Sequence, residues 1–188
     1  MQLTNSTERY GAITQSVHWL TAIFVIAGWL IGQFAHFPSP KSPPDFWLLS
    51  HIALGQCVIA LLIFRLLWRF INPTPPYEKT PFGRFLEWVA RLSHFTLYAL
   101  LLAVPSLGII AELKRAGILP VFGFWRLQSP WPVDRDVGRT ILHLHGTAAD
   151  ALLILAGIHA AAAIVHHWVW RDRTLVRMLP GKAQAASR

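Results

Sequence analysis

Four long apolar stretches separated by polar or proline-rich connections organise the chain, at roughly 17–37, 48–70, 95–112 and 141–170. Each comes close to the about 20 apolar residues that a helix needs to cross hydrocarbon. With the helix-forming positions that flank them, they predict helices at about 14–37, 46–70, 84–112 and 139–170. The pattern therefore predicts an all-α, transmembrane four-helix bundle forming a single domain over 1–188. Pro105 falls midway along the third helix and is expected to kink it.

The connections differ in kind. Residues 35–46, "AHFPSPKSPPDF", read as a proline-rich turn, and 71–83, "INPTPPYEKTPFG", as a rigid, partly extended counterpart at the other end. The third connection, about 113–138, is the longest and mixes aromatics with charges. Its Phe122, Phe124, Trp125 and Trp131 are expected at the membrane interface, where rings with one wet edge are favoured. Met1 to Tyr10 is polar and precedes a run of full spanning length, so the first helix is expected to stay as an anchor and not be cleaved. The tail after Pro180 is expected to be flexible.

Composition agrees with a lipid-embedded chain. Of 188 residues, 54% are hydrophobic and 14% charged, and the mean hydropathy is +0.42, outside the range of an ordinary soluble domain. Cys57 is the one cysteine, which excludes a disulfide framework and a cysteine metal site. The net charge of +8 does not gather on one polar face, so nucleic acid is not an expected partner. It sorts by loop instead. Arg9, Arg65, Arg69, Lys79, Arg84, Arg91, Arg171, Arg173, Arg177, Lys182 and Arg188 fall on the side of the termini, against Lys41, Lys114, Arg115, Arg126, Arg135 and Arg139 on the other. By the positive-inside rule both termini are expected in the cytoplasm.

Histidine carries the candidate chemistry. "LHLHGTAADALLILAGIHAAAAIVHHW", residues 142–168, holds five of the nine histidines in an otherwise greasy run. On a regular helix His145 and His159 lie nearly on one face, about 21 Å apart along the axis. His166 shares that face, whereas His143 and His167 point elsewhere. His18 sits near the inner end of helix one and His51 near the outer end of helix two, so depths pair His18 with His159 and His51 with His145. Facing imidazoles from different helices, with no carboxylate or thiolate beside them, describe the axial ligation of haem b. A zinc or copper site needs three or four convergent ligands. Gly55, Gly146, Gly157 and Ala160 to Ala163 lie beside these histidines and leave room for a flat macrocycle. Lone membrane histidines also bond neighbouring carbonyls, and small residues also serve helix packing; four histidines matched in depth across three helices favour the cofactor. His94 lies at the inner level too and competes with His18 as the partner of His159.

Five segments resemble the bacterial cytochrome b561 family of small dihaem membrane proteins. They are "SVHWLTAIFVIAGW" (16–29), "SHIALG" (50–55), "RLLWRFINPTPP" (65–76), "SHFTLYALLLAVPSLGI" (93–109) and "LHGTAADALLILAGIHAAAAIVHHWVWRDRTLVRMLP" (144–180). The matches cover all four helices, and the outer loops match poorly. The resemblance implies two haems b in the bacterial inner membrane, ligated by His18 and His159 on the inside and by His51 and His145 on the outside. It also implies a superoxide oxidase, passing electrons from superoxide through the haems to ubiquinone.

On that reading Lys114, Arg115, Arg126, Arg135 and Arg139 are candidates to steer a small anion at the outer face, as against ordinary loop charge balanced by Glu112, Asp134 and Asp136. His166 and His167 are candidates for the quinone site, because imidazole gives and takes protons near neutral pH; they also suit a helix end meeting water beside Trp168 and Trp170. Arg65 and Arg69 either pair with haem propionates or snorkel to headgroups. Asp150 is the one acid inside the fourth apolar run and receives no role. Two other classes stay open: a cytochrome b subunit serving a redox protein partner, a hydrogenase or formate dehydrogenase, and a haem-free four-helix transporter.

Overall fold

The computed structural model describes residues 2–35, 45–76, 78 and 83–180. Helices α1 (Ala12–Phe34), α2 (Phe46–Ile71), α3 (Arg84–Ala116) and α4 (Arg135–Trp168) are all long and apolar enough to cross a bilayer. Helix starts follow local chemistry. The Asp45 carboxylate accepts the Leu48 N–H at 2.9 Å to open α2, and the Asp134 carboxylate accepts that of Val137 at 3.1 Å to open α4. α3 closes on Gly117 at φ 77°, whose N–H bonds the Leu113 carbonyl at 3.1 Å.

Two boundaries move outward by four residues from the expected ones, beside shifts of two residues at the start of α1 and one at the end of α2. α3 gains a turn beyond residue 112 and α4 starts four residues before 139, because "LKRA" and "RDVG" are polar yet compatible with helix above the hydrocarbon. α4 ends at Trp168, two residues earlier than expected. α3 runs on through Pro105 as helix. The stretch 36–44 of the proline-rich turn with Lys41, positions 77 and 79–82 with Lys79, and the tail after Pro180 with Lys182 and Arg188 lie outside the described residues.

The third connection is not irregular. It folds as an antiparallel hairpin of β1 (Ile118–Val121) and β2 (Trp125–Gln128), in register from Ile118 opposite Gln128 to Val121 opposite Trp125. Phe122 and Gly123 both take positive φ at the turn, 48° and 76°, the mirror-image geometry that suits strand twist. Gln56 of α2 clamps the hairpin, donating to the Pro120 carbonyl and accepting the Phe122 N–H, both at 2.8 Å. Phe124 and Trp125 at its tip are 88% and 77% exposed.

α4 packs mainly along α3, α1 along α2, and α2 along α3, so the seam between α1 and α4 is the loosest contact in the ring. Val58, Leu62, Leu101 and Leu152 form a buried cluster between three helices, with Phe24, Leu97 and Val104 against it. Large apolar side chains elsewhere face outward, as lipid-facing surfaces do. At the end bearing the termini, polar contacts knit the chain ends to the α2–α3 connection. Gln15 donates to the carbonyls of Tyr10 (3.0 Å) and Arg177 (3.1 Å), Trp19 to that of Met178 (2.9 Å), and Arg177 meets Glu78 at 2.7 Å. Asn5 bonds the backbone of Asn72 and accepts from Thr14.

Candidate functional site

The end of the bundle carrying the hairpin brings His51 of α2 opposite His145 of α4. Their ring centroids are 5.9 Å apart and their planes cross at 81°. His51 Nδ1 bonds the Gly28 carbonyl of α1 at 3.0 Å, and His145 Nδ1 the Val104 carbonyl of α3 at 2.8 Å. A carbonyl can only accept, so both rings carry their proton on Nδ1, the tautomer in which Nε2 is the ligating nitrogen. Around them opens a cavity of about 660 Å³ lined by Gly28, Gly32, Gly55, Gly108 and Gly146, within the about 300–1,000 Å³ usual for cofactor pockets. Two metal–imidazole bonds of about 2.0–2.1 Å plus the ring radii put trans ligands about 6 Å apart, centre to centre. The pair, its backbone acceptors and its glycine walls thus fit an axially ligated haem.

At the other end, His159 of α4 faces two rings: His18 of α1 at 6.4 Å and His94 of α3 at 5.2 Å between centroids. The first distance matches the trans spacing and the second falls short of it. His94 moreover bonds its own helix, Nδ1 to the Ala90 carbonyl at 2.8 Å. The structure therefore brings together all three histidines at this level, with His94 the nearer neighbour and His18 the better spaced one. Among the described residues no group of three or more His, Cys, Asp or Glu converges as a zinc or copper site needs.

The structure divides the remaining candidates. Arg115 and Arg126 line the larger cavity, whereas Lys114, Arg135 and Arg139 do not. Lys114 instead lies over the Trp131 ring at 5.6 Å, and Arg139 stands 3.6 Å from Asp136. Arg65 and Arg69 line a second, smaller cavity of about 70 Å³ at the terminal end, with His94, Trp68 and Tyr98. The Arg65 guanidinium sits 5.2 Å over the Tyr98 ring.

His166 and His167 line neither cavity. His167 is exposed and set edge-on to Trp168. His166 Nδ1 donates to the Asp172 carboxylate at 2.5 Å, and its ring meets Trp170 edge-on at 4.5 Å. The Thr174 N–H bonds Asp172 at 2.8 Å. Burial pushes the Asp172 carboxyl up, but the bonds from the Thr174 backbone and from His166 outweigh it and hold the group below the ordinary carboxylate range. A depressed folded value means stability that is fully present above the unfolded carboxylate value and lost as pH falls through the folded one. Asp172→Asn is accordingly expected to speed amide exchange at Thr174 at neutral pH, and the difference from the unaltered protein to vanish in acid. Equal exchange rates at neutral pH would contradict the assignment.

Three features escaped the sequence reading. Gly32 of α1 makes room for the His51 ring, since a Cβ there would lie 3.3 Å from its Cε1, while Gly28 one turn earlier meets that ring through its carbonyl. Gly108 makes room for His145 in the same way, at 3.1 Å from Cε1 and 3.2 Å from Nδ1. Asp150, left without a role, accepts bonds from Trp29 at 2.8 Å and Gln33 at 3.1 Å on α1.

A bundle of spanning helices with imidazoles opposed in its interior is the architecture of a membrane-embedded cytochrome b. The family described as prokaryotic cytochrome b561 matches residues 9–181, and the chain belongs to that family. It is 29% identical to the probable superoxide oxidase CybB of Yersinia pestis over 175 residues, covering 93% of this chain and 98% of that protein. Cytochrome b561 homolog 2 of Escherichia coli K12 is 30% identical over 189 residues, 98% of each. Cytochrome b562 of Cereibacter sphaeroides is 26% identical over 175 residues, 90% of this chain and 94% of that one. The chain is thus a bacterial membrane electron-transfer protein of the haem b type.

Gly108→Ala should push the His145 ring by a few tenths of an ångström, because a Cβ there would lie 3.1 Å from its Cε1 while Nδ1 is tied to the Val104 carbonyl. Loss of haem absorption from the hairpin-end site alone is the expected result; an unchanged spectrum would show that the ring can yield without cost.

Proposed function

We propose that the protein is a superoxide:ubiquinone oxidoreductase holding two haems b, with both termini in the cytoplasm and the hairpin at the outer face. The observation that carries this reading is the pair of opposed imidazole sets at two depths, with Arg115 and Arg126 lining only the outer cavity. The overall reaction takes two superoxide anions, one quinone and two protons to two dioxygen molecules and one quinol.

Each haem, when bound, supplies one-electron exchange between ferric and ferrous iron. His51 with His145 would ligate the outer group and His18 with His159 the inner one. With two imidazoles given to each group, the site would exchange electrons and would not take small molecules at the metal. Arg115 and Arg126 raise the local concentration of a small anion at the outer cavity. At the inner end Arg65 and Arg69 offer donors to propionates or to a quinone carbonyl, and Tyr98 adds a hydroxyl. The expected place of quinone reduction is this inner end. His166 is committed to Asp172 through Nδ1, so any proton it exchanges with quinone uses Nε2.

Stopped-flow mixing of the purified protein with superoxide tests the proposal. Rapid haem reduction is expected, followed by reoxidation when quinone is added. No reduction by superoxide, together with co-purification of a hydrogenase or formate dehydrogenase, would assign the chain as the membrane subunit of such an enzyme.

A further inference from the structure

Asp150 is the sole acid between Leu142 and Trp168, and it is exposed on the outer surface of α4. A carboxyl group at that depth is costly against lipid unless something there uses it. Its Oδ1 accepts both the Trp29 indole N–H at 2.8 Å and the Gln33 amide at 3.1 Å, which closes the loose α1–α4 seam with one polar bridge. Oδ2, among the described residues, receives no hydrogen bond.

The bridge stands on the rim of the larger cavity. Trp29 and Gln33 line that cavity, and so do Gly146 and Ala149 just before Asp150. Toward the other end of the bundle, Ile154 and Ile158 follow Asp150 at four-residue spacing and are 65% and 60% exposed. The seam therefore offers a hydrogen-bond acceptor beside the Trp29 indole and, beyond it, an exposed apolar track on α4.

We propose that this seam is a docking site for a lipid-phase quinol, separate from the inner cavity. A ring hydroxyl donates to Asp150 Oδ2, the ring lies against Trp29, and the isoprenoid tail follows Ile154 and Ile158. Choosing quinol among hydroxyl-bearing lipids rests on the proposed function, since the seam opens into a redox cofactor cavity. The acceptor at Oδ2 favours the reduced, hydroxyl-bearing form over the oxidised one, whose carbonyls only accept.

Equilibrium binding to the haem-loaded protein in nanodiscs tests this with three probes: decylubiquinol, decylubiquinone and the dimethyl ether of decylubiquinol, which keeps ring and tail but has no O–H. Decylubiquinol is expected to bind the seam about tenfold more tightly than the ether, as one hydrogen bond made by the first and missing from the second implies. Asp150→Asn keeps an oxygen for Trp29 and Gln33 but puts an N–H₂ donor in place of Oδ2. It should weaken decylubiquinol by about the same factor and tighten decylubiquinone, an inversion that a merely structural tie would not produce. Should that variant fail to load haem, Asp150→Leu with Gln33→Leu removes acceptor and donor together and is expected to abolish the quinol preference. Equal binding of quinol and ether, or a preference unchanged by the substitutions, overturns the site. Quinone reduction by the unaltered protein under superoxide is read separately; its absence would overturn the proposed function while the quinol preference still decides the seam.

Discussion

Replacing His159 with alanine is expected to halve the haem bound by the purified protein. His159 is the shared member of the terminal-end cluster, facing His18 at 6.4 Å and His94 at 5.2 Å, so its loss removes the imidazole opposed to both. Helix α4 should survive, because alanine is the best helix former and already fills 160–163. His145 lies fourteen residues away, about 21 Å along the axis, and its Val104 bond does not involve His159. The hairpin-end haem should therefore remain with its spectrum intact. His18→Ala should match this result, whereas His94→Ala, which removes the closer but worse spaced ring, should keep both haems. Two haems in the His159 variant would transfer the ligand role to other residues, and one haem in the His94 variant would exchange the places of His18 and His94.

The joint substitution Arg115→Gln with Arg126→Gln is expected to slow reduction by superoxide by about tenfold or more at low ionic strength, the lower end of steering effects. These two line the outer cavity, whereas Lys114 rests on Trp131 and Arg139 stands beside Asp136. Lys114→Gln and Arg139→Gln should therefore matter much less. Raising the salt toward physiological strength shrinks the Debye length to about 8 Å and should close most of the gap. Salt dependence identical to that of the unaltered protein would remove steering from the mechanism.

The apolar runs alone located the four spanning helices, because hydrocarbon thickness imposes a length that few other structures share. Depth was legible for the same reason: a regular helix turns residue number into height, which places His51 level with His145, 5.9 Å between centroids, and His18 level with His159, 6.4 Å, with His94 at that second level too. Rotation about each axis was less legible. That His94 would come nearest His159, or that Gly32 and Gly108 would cradle the rings, depends on how each helix is turned, which helix-to-helix packing decides. The hairpin at 118–128 stayed hidden because its strands are four residues long, carry Pro120 and show no clean alternation. Asp150 looked purposeless because its partners, Trp29 and Gln33, are 121 and 117 residues away in the chain. The His166–Asp172 bond was missed differently: it lies within one local segment, but a chain reversal past Trp168 brings the two together.

Haem content per chain of the protein purified from a haem-replete host, taken with its reduced-minus-oxidised spectrum, tests the paired-imidazole architecture most directly. Two b-type haems per chain, falling to one in His159→Ala and to one in His145→Ala, is the result predicted. A colourless protein, or one whose haem content is indifferent to both substitutions, would contradict it.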